Sequence, residues 1–236
     1  MTDKALSIDR LVQRQAHLFE LRRKLQMPQP DERVQPFITI SREFGCTGFR
    51  LGLALLAALN PGKMEEEQWA IYDRRVFEFI DGDAELNRRF FEEHVQRRNL
   101  EFEEYLNTTF GAAPSDLSLF NRWANAMRNL AQAGRAIFVG RASHLVTRDL
   151  LGGLHVRVMA PFEWRVAEHA RANGLTETES RTLTRLKDRE RREFLQRYFG
   201  AATEDVTGFH LVINNALVGE EEMVRLILSL LGLRKG

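Results

Sequence analysis

From residue 37 onward, the hydrophobic positions alternate between two kinds of stretch. Short apolar runs predict buried strands, and longer stretches with apolar residues every three or four positions predict helices. The predicted strands are FITI (37–40), WAIY (69–72), AIFV (136–139), LHVRVM (154–159) and FHLVI (209–213). The predicted helices span 50–59, 74–80, 85–108, 116–132, 162–172, 177–198 and 220–232. Strands that alternate with helices predict a three-layer α/β fold around a parallel five-stranded sheet.

Two stretches are additions to this alternation within a single domain, residues 36–236. More than sixty residues separate the second and third predicted strands, too many for one crossover, so we interpret residues 82–115, rich in charge and aromatic side chains, as a helical insertion. Residues 174–200 form a polar helical stretch with six arginines. Its apolar positions are sparse, so it buries only a narrow stripe, as expected of a mobile cover over a site.

The first 35 residues are predicted to be a helical extension. Apolar side chains fall at roughly helical spacing up to Leu25, and the proline-containing stretch MPQPDERVQP then ends the pattern. Such a helix can pack on the core or on a second subunit. The second arrangement would make the protein a homodimer through this extension.

Composition excludes several classes of protein. Of the 236 residues, 44% are hydrophobic and 28% are charged, as in soluble globular proteins. No stretch approaches the roughly 20 apolar residues that a transmembrane helix needs, and the first residues lack the apolar core of a signal peptide. With Cys46 as the single cysteine, no intrachain disulfide can form. We therefore expect a cytoplasmic protein. The net charge of +1 gives no reason to expect binding to nucleic acid or to a membrane.

Arginine dominates the basic residues and recurs at the ends of the predicted strands. Five of the 34 basic residues are lysine, so the other 29 are arginine. Arg42, Arg74 and Arg141 follow three of the five strands closely. Open parallel sheets bind ligands beyond the carboxyl ends of their strands, and arginine suits phosphate or carboxylate groups. The pattern therefore favours an anionic ligand, although codon bias and the general polarity of loops also explain part of it.

The first strand runs into ISREFGCTGFRLG (40–52), which has several features of a phosphate-binding loop. Gly45 and Gly48 can expose backbone N–H groups, and the following helix directs the positive end of its dipole toward the loop. The lysine of the usual phosphate loop is absent, which leaves Arg42 or Arg50 to supply the cation. An ordinary strand-to-helix turn remains the alternative interpretation.

Taken together, several segments resemble the cytidylate kinase-like family. They match in order over about residues 36–232. The segments are FITISREFGCTGFRLGLALLAAL, IYDRRVFEFI, AIFVGRASHLVTRD, the stretch from HVRVMAPFEWR to REFLQRYFG with its D-x-x-R core, and FHLVINNALVGEEEMVRLIL. The resemblance implies a nucleoside monophosphate kinase-like P-loop fold with an arginine-rich lid. It also implies transfer of the γ-phosphoryl group of ATP, with Mg²⁺, to a small-molecule nucleotide, CMP or dCMP.

The resemblance also implies roles for particular residues. The loop of Gly45, Cys46, Thr47, Gly48, Phe49 and Arg50 would hold the ATP phosphates. Arg42 would stand beside the phosphates, while Asp73 and Arg141 would face the acceptor, with Arg141 pairing with its phosphate. Arg185, Asp188 and Arg191 would form the lid set, with Asp188 holding an arginine in place. No protein ligand for a metal is implied, and the histidines lack zinc-binding spacing.

This chain departs from the family pattern in three places. Thr47 stands where the family has a glycine, Phe49 replaces an arginine, and Ser143-His144 replaces Ala-Asp. We interpret His144 as a surface residue at a helix start. Cys46 either substitutes for a serine or has a lowered pKa near the helix N-terminus and acts as a redox sensor.

Two further hypotheses accompany the kinase. The chain could be a catalytically impaired relative that binds a nucleotide and regulates another process. It could also phosphorylate a different small acceptor with the same fold.

Overall fold

The computed structural model describes residues 34–73, 115–140, 142–200 and 205–233. Its centre is a five-stranded sheet of order β2-β3-β1-β4-β5, in which all neighbouring strands are parallel. The strands are β1 (Phe37–Arg42), β2 (Ala70–Tyr72), β3 (Ala136–Val139), β4 (Gly153–Met159) and β5 (Leu211–Asn214). The predicted parallel five-stranded α/β architecture is therefore confirmed.

Six α-helices accompany the sheet in the described residues. They are α1 (Gly48–Leu59), α2 (Ser115–Ala133), α3 (Ser143–Val146), α4 (Phe162–Asn173), α5 (Glu177–Phe199) and α6 (Glu220–Leu233), and a 3₁₀ turn (Glu65–Glu67) precedes β2. The short helix α3 was not predicted, because four residues are too few to show a helical period. The predicted helices at 74–80 and 85–108, the insertion and nearly all of the N-terminal extension lie outside the described residues.

Side chains alternate along the strands, so each face of the sheet builds its own core. On one face, Ile38 and Ile40 of β1 pack with apolar residues of α1 and α6. On the other face, Phe37 packs with residues of α2 and α3 and with the aromatic C-terminal end of α5. This second face also carries polar residues near the middle of the sheet, where Thr39 Oγ1 lies 2.9 Å from His155 Nδ1.

The hairpin of α4 and α5 is defined by strong local signals. Gly174 ends α4 in the left-handed conformation, and Thr176 and Glu179 form a capping box that starts α5. The side chain of Thr176 accepts from the Glu179 N–H, and the Glu179 carboxylate accepts from the Thr176 N–H. Because these caps fix where each helix begins and ends, the predicted boundaries of both helices are correct to within one residue. None of the described helices is both long and apolar enough to cross a membrane.

Candidate functional site

Residues 43–47 connect the end of β1 to the start of α1. Gly45 has a φ of +87°, and a Cβ atom at this position would lie 2.7 Å from the carbonyl oxygen of Arg165. The Cys46 N–H donates to the carbonyl oxygen of Glu43 at 3.2 Å and closes a tight turn. Because both the backbone angle and the space require glycine, Gly45 lets α4 pack directly against this loop.

Thr47 adopts an ordinary backbone conformation with a φ of −83°, so its side chain causes no strain. Its N–H and its Oγ1 both donate to Oδ1 of Asn215, each at 2.9 Å. Helix α1 has no side-chain cap, and its first-turn amides, starting with that of Gly48, point beyond the helix end. Together with the positive end of the helix dipole, this end of α1 is suited to an anion.

Arg42 passes between two glycines. A Cβ atom on Gly48 would lie 2.9 Å from both Cβ and Cγ of Arg42, and a Cβ atom on Gly140 would overlap the Arg42 guanidinium group. Gly140 follows β3 and has a φ of +83°. The two glycines therefore hold the Arg42 side chain across the carboxyl ends of β1 and β3.

Gly140→Ala is expected to lower the free energy of unfolding by about 3 kcal/mol, since the methyl group adds both backbone strain and a collision with Arg42. Gly62→Ala is the matched control. Gly62 has a φ of +70°, and among the described residues no atom outside its two chain neighbours lies within 4 Å of the position that its new methyl group would take, so only strain of about 1 kcal/mol is expected. Urea denaturation of both variants tests this. Equal losses would show that Arg42 does not occupy the space beside Gly140.

Glu43 connects three parts of the site. Its Oε2 accepts from the Ala160 N–H at 3.1 Å and lies 3.3 Å from Arg165 Nε, and its Oε1 lies 3.6 Å from a guanidinium nitrogen of Arg157. The Glu43 N–H donates to the carbonyl oxygen of Val158 at 3.1 Å. This carboxylate therefore ties the loop of residues 43–47 to β4 and to the turn that leads into α4.

Arg165 anchors the α4–α5 hairpin to the same loop. It is only 6% exposed, and it donates to the carbonyl oxygens of Ala160 and Phe44 at 3.1 Å and 3.0 Å. A third bond joins its guanidinium group to Oδ2 of Asp188 on α5 at 2.8 Å. We expected Asp188 to hold an arginine. In the structure its partner is Arg165, a residue that the sequence did not place in the site.

Arg191 extends from α5 to the carboxyl end of β1. Its guanidinium group donates to the carbonyl oxygen of Arg42 at 2.7 Å and to Ser41 Oγ at 2.9 Å. Arg157 also donates to Ser41 Oγ, at 3.3 Å. Burial, followed by the nearby charges of Arg157 and Arg42, lowers the pKa of Arg191 to about 9. Helix α5 therefore places a charged but poorly solvated guanidinium group against the end of β1.

The remaining predicted residues are distributed around this arrangement. Arg185 is exposed, and its guanidinium carbon lies 5.7 Å from the centre of the Phe162 ring. Arg50 forms an exposed ion pair with Glu220 of α6 at 3.2 Å. Asp73 is buried directly after β2. Arg141 lies outside the described residues.

Cys46 and Phe49 both pack against the core beneath α1 and α6. Burial, with a smaller contribution from the Glu43 carboxylate, raises the pKa of the Cys46 thiol to about 12. The interpretation of Cys46 as a low-pKa redox sensor is therefore wrong, because its thiol stays protonated at neutral pH. The serine-like interpretation agrees with its place in the turn.

The prediction that His144 lies on the surface is wrong. This side chain is 8% exposed and stacks on Phe209, with ring centroids 4.3 Å apart. Burial is the first cause that lowers its pKa to about 3, followed by the charges of His155, Arg191 and Arg157. A buried neutral histidine thus packs beside the cations of the site. The sequence missed this because Phe209, which covers the ring, lies far along the chain.

The buried His144 should make stability sensitive to acid. Its pKa is lower in the folded chain than its ordinary value of 6.5, so its contribution is present above that value and is lost as the pH falls toward 3. Between pH 7 and pH 5, wild type should lose about 2 kcal/mol more than His144→Phe, which keeps the stacking but cannot titrate. Denaturation curves at both pH values measure this. Equal losses would contradict the buried neutral imidazole.

Comparison with known proteins agrees with this geometry. Residues 37–217 match the sequence model of the cytidylate kinase-like family. The chain belongs to that family. A solved structure of an uncharacterized protein from Eubacterium ventriosum ATCC 27560 is similar, with a TM-score of 0.66 and 17% identity over 84% of this chain and 99% of that one. TT1252 from Thermus thermophilus also matches, with a TM-score of 0.40 and 18% identity over 84% of this chain and 97% of that one. A comparison with curated proteins found no match to this chain.

Sequence reasoning gave no role to Glu43, Arg157 or Arg165. Glu43 directly follows β1 and Arg165 lies beyond the end of β4, whereas Arg157 lies within β4, where a charged residue inside an apolar run was the available signal. Asn215, which directly follows β5, was likewise given no role. Its contact with Thr47 spans 168 positions in sequence, so no local pattern indicates it.

Proposed function

We propose that this protein is a nucleotide kinase that transfers the γ-phosphoryl group of ATP to a nucleoside monophosphate, with CMP or dCMP as the acceptor. The observation that carries the proposal is the convergence of Arg42, Arg165 and Arg191 beside the uncapped N-terminus of α1. Phosphoryl transfer depends mainly on positioning the reactants and neutralising spread negative charge. Membership of the cytidylate kinase-like family supports the same reaction class.

Each group has a part in this reaction. The first-turn amides of α1 bind donor phosphate oxygens, and Arg42 stands beside them. Arg191 and Arg185 supply positive charge from the lid helix α5, and Asp188 orients Arg165 at the base of the lid. Asp73 and Arg141 face the acceptor from the ends of β2 and β3. Closure of the lid over bound phosphates would exclude water.

The described residues fit Mg²⁺ that is carried by ATP. Over the described ranges, no three His, Cys, Asp or Glu side chains cluster in a way that could hold a metal ion. Kinase Mg²⁺ is commonly bound largely by substrate phosphates and water. The ion would neutralise charge on the phosphates, while the chain's own amides and arginines orient them.

A coupled assay of ADP formation tests the proposal with CMP, dCMP, UMP, AMP and GMP as acceptors. We expect turnover that requires ATP, Mg²⁺ and a pyrimidine monophosphate. Arg141→Ala should raise the KM for the acceptor without changing the KM for ATP. A folded protein that none of these acceptors stimulates would refute the proposal, and turnover with a non-nucleotide acceptor alone would redirect it to another small-molecule kinase.

One observation favours a second candidate, an impaired relative that binds a nucleotide without turnover. The Thr47 N–H is bonded to Asn215, and Arg50 pairs with Glu220, so two groups expected at the donor phosphates have other partners. A ligand that binds only the folded state raises the melting temperature. Thermal stabilisation by Mg·ATP with no ADP formation in the acceptor panel would support this candidate.

A further inference from the structure

We propose that Asn215 is a positioning residue for the donor nucleotide, acting through Thr47 on the phosphate loop. This inference rests on the proposed binding of ATP at the N-terminus of α1. Asn215 was not among the predicted site residues. It follows β5, which lies at the opposite edge of the sheet from β2. In the proposed reaction, residues that follow β2 and β3 bind the acceptor.

A single atom of Asn215 holds two donors. Oδ1 accepts from the Thr47 N–H and from Thr47 Oγ1, both at 2.9 Å. Because a backbone N–H can only donate, the carboxamide atom that faces it must be the oxygen. The two bonds therefore fix the orientation of the amide group as well as its position.

Asn215 is itself held firmly in place. Its N–H donates to the carbonyl oxygen of Met159 at the end of β4 at 2.8 Å. The next turn is closed by Asn214, whose Oδ1 accepts from the Ala216 N–H at 3.0 Å and whose carbonyl oxygen accepts from the Val218 N–H at 3.0 Å. The sheet thus provides a rigid support from which one side chain reaches the residue just before α1.

The consequence concerns which amides meet the phosphate. Thr47 is the residue before the first turn of α1, and its hydroxyl group makes no cap for that helix. Asn215 accepts from both the N–H and the hydroxyl group of Thr47, so the first backbone amide that can bind an anion is that of Gly48. By fixing Thr47, Asn215 sets the position of the whole first turn relative to β1 and Arg42. A shift of about 1 Å in such a group can cost large factors in rate or affinity.

The test measures the Kd for Mg·ATP by calorimetry and the acceptor KM in the coupled assay. Asn215→Ala should weaken Mg·ATP binding about tenfold while the acceptor KM stays within about twofold of wild type. Thr47→Val, which keeps the N–H and loses the hydroxyl, should weaken it about threefold. The double variant should bind Mg·ATP as weakly as Asn215→Ala alone, because both substitutions disrupt the same contact between Thr47 and Asn215.

Asn173→Ala is the matched control: it removes an exposed carboxamide that donates to the carbonyl oxygen of His169 within α4, and it should bind Mg·ATP as wild type does. Unchanged Mg·ATP binding by Asn215→Ala, additive losses in the double variant, or equal losses for donor and acceptor would each overturn the inference. If wild type binds ATP without turnover, the kinase proposal is refuted, but the calorimetric comparison of Kd values still tests the role of Asn215. Failure of wild type to bind Mg·ATP at all would refute both.

Discussion

Arg165→Met is expected to lower the free energy of unfolding by about 3–5 kcal/mol. The change removes the guanidinium group that joins Glu43, Asp188 and the carbonyl oxygens of Phe44 and Ala160. Methionine retains much of the side chain's volume, so the loss reports the removed charge rather than a cavity. Two carboxylates that are about one-fifth exposed lose their counter-charge, and two carbonyl oxygens lose a donor.

Arg171→Met on the same helix is the matched control. Arg171 pairs with Glu168 at 2.7 Å, but its side chain is 70% exposed, and exposed ion pairs contribute little. Its loss should leave the free energy of unfolding close to that of wild type. Urea denaturation at pH 7 compares the two variants. A loss below about 1 kcal/mol for Arg165→Met would show that the network is not a structural anchor.

The sheet could be predicted from sequence because buried parallel strands are short, nearly continuous apolar runs. The predicted ends of the strands were less accurate, and the hydrogen bonds of the backbone explain why. Trp69 was assigned to β2, but its N–H donates to Asn60 Oδ1 at 2.6 Å and its carbonyl oxygen accepts from Asn60 Nδ2 at 3.1 Å. Phe209 was assigned to β5, but its N–H donates to the carbonyl oxygen of Val206 within a turn. Side-chain and turn partners replace the ladder at both positions.

The location of the candidate site could be predicted from the sequence, but its hydrogen bonds and ion pairs could not. Parallel strands bring their carboxyl ends to one edge, so residues that follow them share a region of the molecule whatever their distance in sequence. Which carboxylate meets which arginine depends on helix packing. The Arg165–Asp188 bond requires the α4–α5 hairpin, and the Glu43–Arg157 pair depends on the register between β1 and β4. The local pattern of apolar and polar residues predicts neither of these two pairs.

Arg191→Met should lower kcat for phosphoryl transfer at least about 100-fold, if the proposed kinase reaction is correct. Arg191 of α5 bonds to the end of β1, through the carbonyl oxygen of Arg42 and Ser41 Oγ. In the proposed reaction, phosphate charge would develop beside this guanidinium group. The coupled assay at saturating ATP and CMP measures the loss. Arg192→Met, at the neighbouring exposed position of α5, should stay within about twofold of wild type.

The same substitution should change the free energy of unfolding by less than about 1 kcal/mol, because two opposing effects nearly cancel. Loss of two hydrogen bonds from a charged donor destabilises the chain by about 1.5–3 kcal/mol each. Removal of a cation whose pKa falls to about 9 through burial and the charges of Arg157 and Arg42 relieves a comparable penalty. The sign follows from that lowered pKa: below pH 9 the fold keeps a charge that opposes folding. A large loss of stability with unchanged kcat would instead make Arg191 a structural latch between α5 and β1.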